Sequence, residues 1–431
     1  MIAILLLAVA AIYFRLKYNN WVNPATLMSG VWAVILTVYE LRIIPLNRVD
    51  ITIYIMIVLG VLSFAFGTSI SNMSRIGKIS VRDEAAPVDF KVLYTPVLIL
   101  AIISVVIYIP DTLDSIRMLR NGATFENLRS DNDSVINNKL VLLVMNYIIT
   151  PFINFLYPIA AYGLLSIREK EARKRKIAIF VCAILATLTQ IFTYGGRVAI
   201  VYLLIHVIVI AALLGKKIRI PRKVKIAILV TCIAAVIMIY FISLSRGVSD
   251  VAKSMVIYIC GCVPLFEHYV NEISISGAYS FGGAFLFGVL QFVFTMLENI
   301  GLGTPEFIVE LTEALNVEAR VVVGDGHKMN AFVSMFFYFY KDGGLLGILI
   351  ESAIYGMIAQ AIYKGIKNSK SNPRAVIAYS IISNTIVFSM IRFQLIRYQY
   401  LLSFIFVFLL IKKIKPREKK MNESIYLKRK N

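Results

Sequence analysis

The chain has 431 residues, 59% of them hydrophobic and 16% charged, with a mean hydropathy of +0.77, which excludes a water-soluble globular domain. The formal net charge of +20 invites a nucleic-acid reading, but its distribution argues against one. The basic runs are short and lie between apolar segments, at 168–176 (REKEARKRK), 216–225 (KKIRIPRKVK) and 412–420 (KKIKPREKK).

Apolar segments recur along the whole length, and about 20 residues are needed to span about 30 Å of hydrocarbon. Within lipid every backbone polar group must find an internal partner, so the spans are expected to be helices. Lys and Arg beside span ends mark the cytoplasmic side. Assigned that way, about 31 of the 45 basic residues but only about 7 of the 25 acidic ones fall inside. The charge is therefore a topology signal, and it also favours contact with anionic lipid headgroups.

In chain order, a first helix over about 1–14 ends at Arg15 and Lys17, which places the N-terminus outside. It lacks the basic leader and small-residue cleavage site of a signal peptide. Helices over about 24–44 and 51–70 are joined by an outer turn, and an inner loop over 71–91 follows. A fourth helix is expected to stop at Pro110, before an outer loop over 111–138 that contains Asp131-Asn132-Asp133. That D-x-D matches the spacing with which hard oxygen ligands hold a divalent cation, but without a further ligand nearby it reads as a solvated loop. Helices over about 140–166, 177–194, 198–214 and 226–244 come next. The long outer segment 248–329 carries apolar pieces read as interfacial or re-entrant helices. Helices over about 345–366, 375–391 and 398–411 complete a tally of about eleven, followed by a basic inner tail. The divisions are 1–247 (eight spans), 248–344 (the large outer loop), 345–411 (three spans) and 412–431 (the tail).

The four cysteines set no disulfide framework, and Cys260-x-Cys262 has only His268 near it as a further metal ligand. Ionisable groups gather instead at the outer ends of spans. Tyr194-Gly195-Gly196-Arg197 forms a tight outer hairpin, and Ser245-Arg246-Gly247 ends the next span. An arginine presents a planar, permanently charged fork suited to phosphate oxygens; snorkelling to the interface is the alternative use. The stretch 324–347 (GDGHKMNAFVSMFFYFYKDGGLLG) brings Asp325, His327, Lys328 and Asn330 to the mouth of an aromatic run. Polar groups so placed beside hydrocarbon usually line a site. His327 suits the removal of a proton from a hydroxyl, or is an ordinary loop histidine. Asn330 is placed to cap a helix starting at Ala331, and Asp342 to cap the span that follows it.

The combination of many spans, Gly-Gly-Arg, Ser-Arg-Gly, a large outer loop, Asn330-Ala-Phe and Asp342-Gly-Gly-Leu-Leu-Gly resembles the Wzy-type O-antigen and capsular repeat-unit polymerases of bacteria. The related O-antigen ligases carry His and Asn adjacent; here Lys328-Met329 separates them, which favours polymerase over ligase. The resemblance implies an all-α polytopic protein of the glycosyltransferase C-type superfamily in the bacterial cytoplasmic membrane, with its active site on the extracytoplasmic side. It implies donor and acceptor oligosaccharides linked to undecaprenyl diphosphate, no cofactor or metal, and, as further partners, a chain-length regulator and a flippase. By the same resemblance Arg197 and Arg246 bind the diphosphate, while His327, Asp325 or Asp342 orients or deprotonates the acceptor. Tyr194, Lys328, Asn330 and Arg320 complete the substrate-binding candidates. A ligase or a lipid-linked oligosaccharide flippase is the rival, but a flippase calls for charges in mid-span, where this chain has few.

Overall fold

The computed structural model describes residues 1–73, 89–125, 128, 138–166, 172–194, 196–214, isolated positions between 226 and 244, 251–317, 320–330, 332–367 and 372–414. Asp131, Asp133, Arg246 and most of the span expected at 226–244 lie outside the described residues.

The protein is a helical membrane protein. Among the described residues five helical stretches are long and apolar enough to cross a bilayer: Ile51–Met73, Tyr94–Arg120, Lys139–Leu165, Arg173–Tyr194 and Met335–Ile366. The first helices, α1 (Ile2–Tyr18) and α2 (Pro24–Glu40), meet at a turn that the sequence punctuates: Asn23 accepts from the Ala25 amide and Pro24 opens α2, where no amide donor is needed. α3 (Ile51–Met73) is followed by a short strand, β1 (Asp89–Val92), then α4 (Tyr94–Ile107) and α5 (Ile109–Arg120). The fourth helix ends at Ile107, just before Pro110 as expected, but a further helix and not a loop follows. Pro110 sits in the first turn of α5, where its ring costs no hydrogen bond, and α5 covers residues expected to be loop. α6 (Lys139–Val144) passes through one π-helical turn at Met145–Ile149 into α7 (Thr150–Leu165).

α8 (Arg173–Tyr194) and α9 (Val198–Leu214) form the expected hairpin. The segment after 250 folds as α10 (Val251–Cys260), α11 (Cys262–Ser276), α12 (Gly283–Asn299) and α13 (Glu306–Ala314), then the hairpin β2 (Val321–Gly324) and β3 (His327–Met329). α14 (Met335–Lys367), α15 (Pro373–Val387) and α16 (Tyr398–Leu410) lead to β4 (Ile411–Ile414), which pairs antiparallel with β1.

α14 consists of two helical pieces separated by non-helical backbone at Gly343 and Gly344: the second, from about 345, is the span expected over 345–366, and the first, from Met335, was not expected as part of a span. Gly344 has φ of 60° with ψ of −139°, a conformation that favours glycine. The division placed at 344/345 falls at this break.

One end of the bundle carries Arg15, Lys17, Lys91, Arg173, Lys412 and Lys413. There Lys176 is buried, donating to the Ser166 carbonyl (3.0 Å) and hydroxyl (3.3 Å), and Arg374 donates to the Ile411 and Phe408 carbonyls. The opposite, distal end carries the turns at 41–50, 279–285 and 388–397 and the β2–β3 hairpin.

Two large hydrophobic clusters make most of the core among the described residues. One joins α2, α3, α10–α12 and α14, with Trp32, Phe64, Phe336 and Tyr355 fully buried; the other joins α4, α7–α9, α15 and α16. Lipid is as apolar as leucine, so helices here gain by close packing and not by escaping water. The α3–α14 crossing achieves this with glycine. A β-carbon on Gly67 would lie 1.9 Å from the Ala353 carbonyl oxygen, and one on Gly356 would lie 2.0 Å from that of Phe64. Gly356→Leu is thus expected to force the two helices apart, costing more than the about 1–3 kcal/mol of ordinary overpacking. A fall in the thermal-unfolding midpoint of the solubilised protein measures it.

Candidate functional site

The distal end brings a cationic turn to a tyrosine-lined position. Between α15 and α16 the chain makes two short 3₁₀ turns, Phe388–Met390 and Gln394–Ile396, with Arg392 between them and Arg397 just after. Arg392 is half-buried and Arg397 exposed. Burial, then the neighbouring positive charge of Arg397, lower the Arg392 guanidinium from its ordinary value, while Tyr338, Tyr202 and Tyr400 pull the other way. The guanidinium still carries its charge at neutral pH. Among the described residues no carboxylate lies within ion-pair distance of either arginine. Tyr400 is 4% exposed and its hydroxyl has no hydrogen-bond partner among the described residues; the side-chain oxygen of Gln394, 2% exposed, has none either. A buried cation beside a like charge and orphaned polar atoms is costly unless something anionic or hydrogen-bonding completes the set.

Arg197 reaches the same region by a chain of contacts. Its guanidinium lies over the Tyr258 ring at 5.2 Å, Tyr258 packs on Phe332 at 5.1 Å, and Val333, the next residue, donates its amide to the Ile391 carbonyl at 3.1 Å. Tyr202 on α9 packs on Phe388 at 4.6 Å and faces Tyr400 at 6.5 Å, which brings the helix that follows Arg197 against the Arg392 turn. Tyr194 is 47% exposed, with its hydroxyl 3.5 Å from that of Tyr108. Arg246 lies outside the described residues.

The other candidates fall elsewhere at this end. Asp325 is exposed in the tight turn of the β2–β3 hairpin with φ of 43°, His327 is half-buried at the start of β3, and Lys328 and Arg320 are exposed. That hairpin leans on the α2–α3 turn, with the Asn47 amide donating to the Val323 carbonyl at 2.7 Å. Among the described residues no hydrogen bond or ion pair joins Asp325, His327 or Lys328 to the arginine turn. Asn330 is half-buried below the hairpin, its carbonyl accepting from the Phe332 amide at 2.8 Å. It caps no helix directly after it: residues 332–334 are non-helical, with Ser334 at φ of 67°, and α14 starts at Met335.

Asp342 does cap a helix, though not the one expected. It is 3% exposed, and its carboxylate accepts from the Ser280 hydroxyl (2.5 Å), the Ala284 amide (2.8 Å) and the Phe285 amide (2.7 Å), which are the free donors at the start of α12. A carboxylate there satisfies orphan amides and meets the positive end of the helix dipole. The break in α14 is patched by the same strap: the Lys341 and Asp342 carbonyls accept from the Ser280 and Phe281 amides at 2.8 and 3.0 Å. Sequence distance hid this cap, because its donors lie some sixty residues upstream.

α12 in turn supports the arginine turn. Phe285 stacks on Phe393 at 5.2 Å, and a β-carbon on Gly288 would lie 2.1 Å from the Leu395 carbonyl oxygen. Asp342 therefore acts on Arg392 and Arg397 at one remove. Glu351, deeper in α14 and 7% exposed, has one carboxyl oxygen without a partner among the described residues, and Asp342 is its charged neighbour.

The sequence reading missed Arg392, Arg397 and Glu351. The signal for the first two was present: RFQLIR is an outer turn with two arginines and no acid. Cys260 and Cys262 are buried in the core, and no three of His, Cys, Asp and Glu converge among the described residues. No family model, curated protein or solved structure matches the chain.

Proposed function

We propose that the protein is a membrane glycosyltransferase that polymerises undecaprenyl-diphosphate-linked oligosaccharide repeat units at the outer face of a bacterial cytoplasmic membrane. The reading takes about eleven spans with the distal end outside, as the distribution of Lys and Arg favours. The observation that carries it is the half-buried Arg392, set beside Arg397 and three tyrosines with no described carboxylate to neutralise it. Two guanidinium forks with a third contributed by Arg197 suit a doubly charged phosphate head, and tyrosine hydroxyls suit the sugar or phosphate oxygens beside it.

In the reaction the acceptor hydroxyl oxygen attacks the anomeric carbon of the growing chain. The bond from that carbon to the diphosphate oxygen breaks, the diphosphate keeps the electron pair, and the hydroxyl proton passes to a base. The arginines stabilise the charge that builds on the departing diphosphate. Asp325 and His327 are the candidates for the base, with Lys328, Asn330, Tyr194 and Arg320 contacting the saccharide. Asp342 is assigned a positioning role, since both its oxygens are engaged by α12.

Purified protein incubated with a synthetic lipid-linked repeat unit should yield a ladder of products on a gel. Arg197→Ala and Arg246→Ala should each shorten or abolish the ladder while leaving insertion intact. A wild-type protein that is folded, bears the lipid-linked substrate and makes no ladder would overturn the reading; a single transfer to a different acceptor would point to a ligase.

A further inference from the structure

Asp342 and Glu351 lie on either side of the break in α14, 3% and 7% exposed, and their carboxyl groups meet in a hydrogen bond. Among the described residues Asp342 is the charged neighbour of Glu351; the cation beside it, Lys341, acts on Asp342 and on Glu272 of α11. A bond between two carboxyl groups requires a proton on one of them, because a carboxylate can only accept. The surroundings of each identify which. Asp342 Oδ1 takes the Ser280 hydroxyl and the Ala284 amide, and Oδ2 takes the Phe285 amide, which leaves Oδ2 a site for one further donor. These donors, at the positive end of α12, hold Asp342 as the anion. Glu351 has no such support. Its Oε2 has no partner among the described residues, a bare oxygen that costs a neutral acid far less than it costs an anion beside hydrocarbon.

We propose that Glu351 is a neutral carboxylic acid that donates to Asp342, so that a single buried proton closes a clasp across the break in α14. The clasp reaches the arginine turn through α12: Asp342 holds the start of that helix, and the helix holds Phe393 and Leu395. Loss of the proton sets two anions against each other where little screens them, and the strap at Ser280–Phe285 is the part that gives way. Glu351 is thus a positioning residue, which couples the occupancy of one proton to the placing of Arg392 and Arg397. The clasp stands on the hydrogen bonds of Asp342 and does not depend on the polymerase reading.

The test uses the full-length protein in lipid nanodiscs at neutral pH. Infrared spectra of wild type should contain the carbonyl stretch of a protonated carboxylic acid, and Glu351→Gln should lack it. Hydrogen exchange of the peptide spanning Ala284 and Phe285 reads the clasp itself. Glu351→Gln, whose amide still donates to Asp342, should exchange there as slowly as wild type. Glu351→Met fills the same space without a donor and should exchange roughly tenfold faster, the factor for one charge-assisted hydrogen bond. The infrared comparison needs only wild type and the glutamine variant, so it decides the protonation even if the methionine variant does not fold. Identical infrared spectra for those two proteins would overturn the proposal. So would exchange as fast in Glu351→Gln as in Glu351→Met, or exchange unaltered in Glu351→Met. Protection that appears only when sodium is present would assign the pair to a bound cation and overturn it as well.

Discussion

Replacing Arg392 by alanine is expected to lower polymer formation by roughly 10²–10³-fold, the loss seen when one preorganised stabiliser of a developing oxyanion is removed. The arginine sits half-buried beside Arg397 and the hydroxyl-bearing rings of Tyr202, Tyr338 and Tyr400, so its charge acts in a medium that screens poorly. Removing it also relieves an unfavourable arrangement, namely two guanidinium groups with no described acid between them. Arg392→Ala should therefore be at least as resistant to heat as wild type while losing activity. That pairing of outcomes separates a ligand-binding arginine from a structural one. Arg392→Lys should recover only part of the loss, because an ammonium cannot present two parallel donors to a phosphate. Product ladders together with melting curves for the three proteins decide it. An alanine variant with normal ladders, or one that melts early, would remove Arg392 from the site.

The second large effect is expected at Asp342. Alanine there leaves the Ala284 and Phe285 amides and the Ser280 hydroxyl without their acceptor. Each buried donor left unsatisfied costs about 1–3 kcal/mol. The start of α12 should loosen, and with it the Phe285–Phe393 stack and the Gly288–Leu395 contact that hold the arginine turn. Asparagine keeps one acceptor oxygen and caps nearly as well as aspartate. Asp342→Asn should thus retain measurable polymerisation with an altered KM, whereas Asp342→Ala should lose activity and several degrees of melting temperature together. The contrast bears on mechanism. A general base cannot be replaced by an amide, so an Asp342→Asn protein that is fully folded yet wholly inactive would return Asp342 to the proton-transfer role.

These two residues also show how unevenly the sequence revealed the site. Asp342 stood out because Asp-Gly-Gly at the edge of an apolar run is unusual, and a capping role was anticipated for it. The helix it caps was not, since a cap written in sequence normally precedes its own helix by one residue, and here the donors come from a strap that crosses the break in α14. Arg392 is harder to see in the sequence: its turn, RFQLIR, lacks the glycines that flank Arg197 and Arg246. Only the burial of its guanidinium among tyrosines from α9, α14 and α16 sets it apart.

What the sequence determined by itself was the class of molecule. Long apolar segments in a chain with few charges dictate membrane-spanning helices, because hydrocarbon leaves the backbone no other partner for its hydrogen bonds. The punctuation of several helices was also local: Asn23-Pro24 opens α2 and Asn372-Pro373 opens α15. Tertiary structure decided the rest. That a helix and not a loop follows Pro110 was decided by the packing of α5, and how the break at Gly343–Gly344 is held was decided by the strap at Ser280–Phe285. The physical reason is the same in both cases. A span is specified by its own residues against a uniform solvent, whereas a cap, a kink or a charged cluster is specified by groups that meet only when distant segments pack.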